Sequence, residues 1–162
     1  VNSNHYTGHT LSLLDGKGRL SVPARFRDVM VARSGTKERM IIEAHPDLPC
    51  LVGSDIERHR HNEQQLAQKF GGVDSLERDL FAADMFGLNA EIPIEDTGRI
   101  LLPANWRETG RLTDEVLFLG LGEKFLIIAV DLALEHIKHR ALPGIVAEWR
   151  RKRQAEKRGG EA

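Results

Sequence analysis

Short runs of alternating apolar and polar residues lie along this chain, and the runs come round twice. His9 to Leu14, HTLSLL, puts Leu11 and Leu13 on one face of a strand. DGKG follows, with two glycines in four residues, and predicts a turn. RLSV returns as a strand and stops at Pro23, which has no backbone donor. The spacing of Phe26, Val29 and Met30 predicts a short helix closed by Gly35. RMIIEA and CLVG, joined by the Pro-rich HPDLP, predict a second hairpin. Ser54 and Glu57 have capping-box spacing ahead of IERHRHNEQQLAQKF, which ends at Gly71 and Gly72. Asp74 and Glu77 repeat that spacing before LERDLFAADMF, closed by Gly87.

The order then starts again. NAEIPI is a strand, EDTG a turn, RILL a return strand stopped by Pro103, and ANWRETG a short helix. EVLFLGLGEKFLIIAV is a hairpin, and Asp131 caps the helix LALEHIKHRAL. The tail from Gly144 is helical at first, with a frayed end expected at KRGGEA. Adding 80 to each number carries Gly18 to Gly98, Arg19 to Arg99, Pro23 to Pro103, Ala24 to Ala104, Phe26 to Trp106 and Arg27 to Arg107. So many matches in one register point to an internal duplication. Each half is hairpin, short helix, hairpin and longer helix. Its open strand edges need a partner, which the other half can supply within one chain. The expected divisions are 6–73, 74–143 and a charged helical tail at 144–162.

Composition narrows the function. The 162 residues, 41% hydrophobic, suit one domain or two small halves packed together. There are 23 basic and 24 acidic residues, too even a balance for a protein that coats nucleic acid by bulk charge. Any nucleic-acid role therefore needs locally clustered Lys and Arg, or many copies of a weak site. No apolar run approaches a membrane span, the start VNSNHYTGHT lacks a signal pattern, and the single Cys50 fits a reducing compartment. A cytoplasmic location is expected.

GHTLSLLDGKGRLSVPARFR resembles the N-terminal signature of the MraZ family of bacterial transcriptional regulators, related in fold to AbrB. The likeness runs from about Tyr6 to the helix around His136. The family's Asp-x-x-x-Arg motif falls on Asp15 and Arg19; in the second half it falls on Glu95 and Arg99, a departure that lengthens the carboxylate by one methylene. The resemblance implies an α+β, β-rich fold of two tandem AbrB-like halves, of the swapped-hairpin or double-psi-barrel type. These would form a pseudo-dimer in one chain, with flanking helices. It further implies a regulator of the division and cell-wall genes, often including its own promoter, assembled as a homo-oligomeric ring on double-stranded DNA at the nucleoid. No cofactor, metal, membrane or small-molecule ligand is expected.

The residues fit that role. Gly18 and Gly98 let the backbone approach a groove closely. Arg19 and Arg99 suit guanine edges, and Lys17 suits a phosphate. Asp15 and Glu95 are expected to hold the turn and orient the arginine. Thr97 stands where Lys17 would be, so the first tip is expected to bind more strongly.

Each feature also has an ordinary reading. A charged tip is also what a solvated turn looks like, and an AbrB-type fold can serve as a protein-interaction module. Asp96-Thr97-Gly98 is an aspartic-peptidase signature, yet the first half offers GKG in its place. His59, His61, His136 and His139 read as exposed helix residues rather than metal ligands. Cys50 reads as a buried structural thiol. The basic run at Arg150, Arg151, Lys152, Arg153, Lys157 and Arg158 reads as a solvated helix end. Phe26 and Trp106 are expected in the core, with Arg25, Arg27 and Arg107 flanking them.

Overall fold

A computed structural model describes residues 4–160 and shows an α+β fold built on a six-stranded antiparallel sheet. The strands are β1 (His9–Leu13), β2 (Arg19–Ser21), β3 (Arg39–Ala44), β4 (Leu51–Ser54), β5 (Ala90–Pro93), β6 (Arg99–Leu101), β7 (Glu115–Gly120) and β8 (Phe125–Ala129). The large sheet runs β1-β7-β8-β4-β3-β5, and β2 pairs with β6 in a separate ribbon. The helices are α1 (Ala24–Ser34), α2 (Glu57–Phe70), α3 (Leu76–Ala82), α4 (Ala104–Thr109), α5 (Val130–His136) and α6 (Leu142–Gly160).

The strands before and after each DGKG-type turn do not form the hairpins that the sequence suggests. The turn itself closes, with the Asp15 amide donating to the Arg19 carbonyl at 3.0 Å. Beyond it the strands part. β1 pairs with β7 of the second half (His9 opposite Leu119), and β5 pairs with β3 of the first (Arg39 opposite Pro93). β2 and β6 pair across the halves, Leu20 opposite Ile100. Turn residues act over four positions, but a strand's partner is chosen by where its apolar face can be buried. A lone two-stranded hairpin is marginal in water; exchange places β1 and β5 in the six-stranded sheet, and the β2–β6 ribbon is held by burying Leu20 and Ile100 in the core.

Both faces of the large sheet are covered, which explains the unbroken apolar runs in β7 and β8. Val116, Phe118, Phe125 and Ile127 face one core with Phe26, Leu20 and Ile100. Leu117, Leu126 and Ile128 face another, beneath α5 and α6, with Cys50, Val130 and Val146. Tyr6, Phe26, Phe118 and Phe125 form the aromatic centre of the first, the Tyr6 and Phe26 rings meeting edge to face at 5.5 Å. Phe26 is fully buried, whereas Trp106 is only partly covered.

Several helix boundaries differ from the sequence expectation. Ser54 lies in β4, and the carboxylate at the start of α2 is Asp55, which accepts from the Glu57 amide at 3.0 Å. Ser75, not Asp74, caps α3 by accepting from the Arg78 amide. α3 then runs into a π-turn over Ala83–Gly87. LALEHIKHRAL breaks after His136, with α6 beginning at Leu142. The frayed end expected at KRGGEA is helical as far as Gly160 despite its two glycines, and residues 161 and 162 lie outside the described residues. Arg150 and Arg153 of α6 both bind Glu115 of β7, at 2.7 and 2.8 Å, and anchor the helix to the sheet. No helix among the described residues is long and apolar enough to cross a membrane.

Candidate functional site

The two charged turns fold alike and lie at opposite ends of the antiparallel β2–β6 ribbon. Asp15–Leu20 and Glu95–Ile100 share one burial sequence: three exposed residues, a buried glycine, a half-buried arginine and a buried aliphatic. Gly18 and Gly98 have φ of 88° and 87°, the left-handed region in which only glycine is unstrained. Each glycine amide donates back to its turn's carboxylate residue, Gly18 to the Asp15 carbonyl at 3.1 Å and Gly98 to the Glu95 carbonyl at 2.8 Å.

Between the turns, the β2–β6 ribbon sorts its residues by alternation. Leu20 and Ile100 point into the core. Arg19, Ser21, Arg99 and Leu101 lie on the outward face, with Leu101 57% exposed. Arg19 faces Leu101 and Arg99 faces Ser21, so the two arginines are diagonal neighbours. Such neighbours are about 7–8 Å apart. Neither guanidinium has a hydrogen bond or ion pair among the described residues, and Lys17 stands exposed beside them. Two uncommitted guanidiniums on one outward face can reach a common target.

The carboxylates act differently from expectation. Asp15 does not grip the Arg19 side chain; its Oδ1 accepts from the backbone amides of Lys17 and Arg19, both at 2.9 Å. The Arg19 amide, then the Lys17 amide and the charges of Arg19 and Arg99, hold its carboxyl below the usual 3.8. Because the folded value is depressed, its contribution is complete above the ordinary value and is lost as pH falls through the lower folded value. Acid titration is therefore expected to move the Lys17 and Arg19 amide resonances together, below the range of exposed aspartates. Movement within the ordinary range would contradict the Asp15 anchor. Glu95 reaches instead to the Thr97 hydroxyl, at 3.4 Å. The extra methylene exchanges two amide contacts for one long side-chain contact.

A feature not read from the sequence is that the halves clasp one another's turns. The Leu102 amide donates to the Gly18 carbonyl at 2.8 Å, and the Val22 amide to the Gly98 carbonyl at 2.9 Å. A Cβ on Gly18 would stand 3.2 Å from the Arg107 guanidinium carbon; one on Gly98 would stand 2.6 Å from that of Arg27. The matched register of Arg27 and Arg107 was the available signal, but it did not show that each serves the opposite turn.

The remaining candidates scatter. Asp96 is exposed on the second turn, and Gly16 holds the matching place on the first. His59 stacks on Phe86 and meets Glu91 at 3.2 Å. His136 lies 3.9 Å from Glu135. Among the described residues no cluster of His, Cys, Asp and Glu could hold a metal ion. Arg150 and Arg153 are engaged with Glu115, leaving Arg151, Lys152, Lys157 and Arg158 as the outward part of the basic run. Cys50 is fully buried, and burial pushes its thiol up to about 11. Alkylation of the native protein at about pH 7 is expected to be slow until denaturant is added. Prompt labelling of the native chain would contradict that burial.

No protein-family profile matches the chain. Individual proteins do. It is 36% identical over 127 residues to the transcriptional regulator MraZ of Parvibaculum lavamentivorans, covering 76% of this chain and 75% of that one. The MraZ of Gluconacetobacter diazotrophicus is 32% identical over 125 residues, covering 75% and 77%, and that of Gluconobacter oxydans 31% over 133, covering 80% and 79%. With identity at this level across three quarters of both partners, the chain belongs to the MraZ family.

Proposed function

We propose that this protein is a sequence-specific DNA-binding transcriptional regulator that reads promoter DNA with the outward face of its β2–β6 ribbon. One observation carries the reading: Arg19 and Arg99, neither with a hydrogen bond or ion pair to its guanidinium among the described residues, share the exposed face of a two-stranded antiparallel ribbon. A ribbon of that width fits the major groove, where an arginine can donate two parallel bonds to guanine O6 and N7. Lys17 contacts phosphate, while Asp15, Gly18, Glu95 and Gly98 set the shape of the turns.

The names of its relatives support regulation of transcription. We read residues 6–73 and 74–143 as duplicated AbrB-like halves joined as a pseudo-dimer, and the reciprocal strand exchange supports this. The protein acts as a repressor of division and cell-wall genes, in the cytoplasm on the nucleoid, as a ring of identical chains. It binds and does not catalyse. Several weak reading heads on repeated promoter boxes gain roughly two to four orders of magnitude in avidity when the spacing fits, which offsets the near-neutral charge.

Fluorescence anisotropy against salt tests the reading, with the DNA upstream of its own gene and a scrambled fragment. Binding should favour the promoter and fall linearly in log–log form as salt rises. Equal, weak binding to both fragments would favour a protein-interaction module instead. Proteolysis abolished by Asp96→Asn would favour the peptidase.

A further inference from the structure

The two turns are not independent units, because each is backed by an arginine from the opposite half. Arg107 of α4 lies against Gly18 on the first turn, and Arg27 of α1 lies against Gly98 on the second. The backing is two-layered. At Gly18 the Leu102 backbone holds the carbonyl while the Arg107 guanidinium fills the space a side chain would need. At Gly98 Val22 and Arg27 do the same, and Arg27 Nε also donates to the Val22 carbonyl at 3.3 Å. Arg107 Nε is buried with no hydrogen-bond partner among the described residues. A buried unpartnered donor is costly, and its position is explained if the guanidinium is held there as a packing plate for the turn.

The geometry points to Arg107 as a positioning residue for Arg19, and Arg27 as one for Arg99. Each acts through the turn glycine rather than by touching DNA. This rests on the reading of the turns as DNA-reading heads. Planar guanidinium groups suit the role, because they lie flat against a glycine face where a lysine presents only a flexible stem. The consequence is crossed dependence: damage in the second half loosens the first turn, and the reverse.

The test pairs hydrogen–deuterium exchange with DNA binding. Arg107→Ala should speed exchange in peptides spanning 14–20 and spare those spanning 94–100, and Arg27→Ala should do the opposite. Faster exchange at the turn of the same half, at both turns equally, or at neither would overturn the proposal. In anisotropy at low salt, Arg107→Ala should weaken promoter binding roughly three- to tenfold. That loss should vanish in an Arg19→Ala background and persist in an Arg99→Ala one. Full additivity in both backgrounds would mean that Arg107 touches DNA itself, which overturns the positioning role. If Arg19→Ala and Arg99→Ala both leave binding untouched, the DNA reading fails, and the exchange pattern still decides the crossed dependence. Should an alanine variant fail to fold, as circular dichroism would show, Arg107→Lys and Arg27→Lys should give the same crossed exchange pattern at smaller size.

Discussion

Arg19→Ala is expected to weaken promoter binding by roughly five- to a hundredfold while changing affinity for scrambled DNA far less. Losing a bidentate arginine–guanine contact costs about 1–3 kcal/mol, and each 1.4 kcal/mol is tenfold. The side chain is on the outward face of the ribbon and makes no hydrogen bond or ion pair among the described residues, so its removal leaves no buried group unsatisfied. The loss should therefore appear in binding and not in thermal stability. Arg99→Ala should fall the same way but less far, because Thr97 supplies no charge beside it and the Glu95 side chain braces the turn by one long contact. Anisotropy titrations of both variants on promoter and scrambled duplexes check the ranking. Equal losses on both duplexes would turn Arg19 into a phosphate contact and remove the base-reading role.

The second large effect is one of stability. Asp55 is 1% exposed and holds three donors: the Tyr6 hydroxyl at 2.6 Å, Arg33 Nε at 2.8 Å and the Glu57 amide at 3.0 Å. Burial first, then the hydrogen bond to Asp55, pushes the Tyr6 phenol far above its ordinary range, so it remains a donor at any working pH. The three donors tie the N-terminal segment, α1 and the start of α2 together. Asp55→Ala strands all three, one of them a largely covered guanidinium, and removing one partner of a buried ion pair costs about 3–5 kcal/mol. For a chain of this size that is a fall in Tm of roughly 6–20 °C. Tyr6→Phe, which loses one hydrogen bond and keeps the ring, should cost only about 1 kcal/mol. Thermal or urea unfolding at matched protein concentration measures both, since assembly would otherwise shift the midpoint. An Asp55→Ala variant as stable as Tyr6→Phe would show that Arg33 and the Glu57 amide find other partners.

What the sequence revealed and what it hid divide along a physical line. Local chemistry was legible: the turns at Gly18 and Gly98, Pro23 and Pro103 ending their strands, Cys50 in the core. The turn arginines were also found in one register, and the structure adds that they share a face. Partner choice was not legible. Nothing in HTLSLL says that Leu11 lies opposite Leu117 rather than beside β2, because alternation marks a face and not a neighbour. Arg27 and Arg107 could be seen to correspond, yet their crossing depends on the same exchange. Capping slipped by a single position, Asp55 for Ser54 and Ser75 for Asp74, since either neighbour carries a suitable oxygen and the backbone path decides between them.

The pairing of β1 with β7 also sets a timetable for synthesis. His9 finds its partner at Leu119, so the first strand leaves the ribosome with no ladder to join until 110 further residues have been added. At ribosomal speeds of 5–20 residues per second, that is a wait of roughly 5–20 s with an apolar edge exposed. A nascent chain holding only the first half lacks β7 for its own β1 and β5 for its β3. Completion of the large sheet is therefore deferred until β5 and β7 of the same polypeptide emerge. The hairpin of β3 and β4 can close early, but the six-stranded sheet is completed only when the second half joins it, rather than half by half.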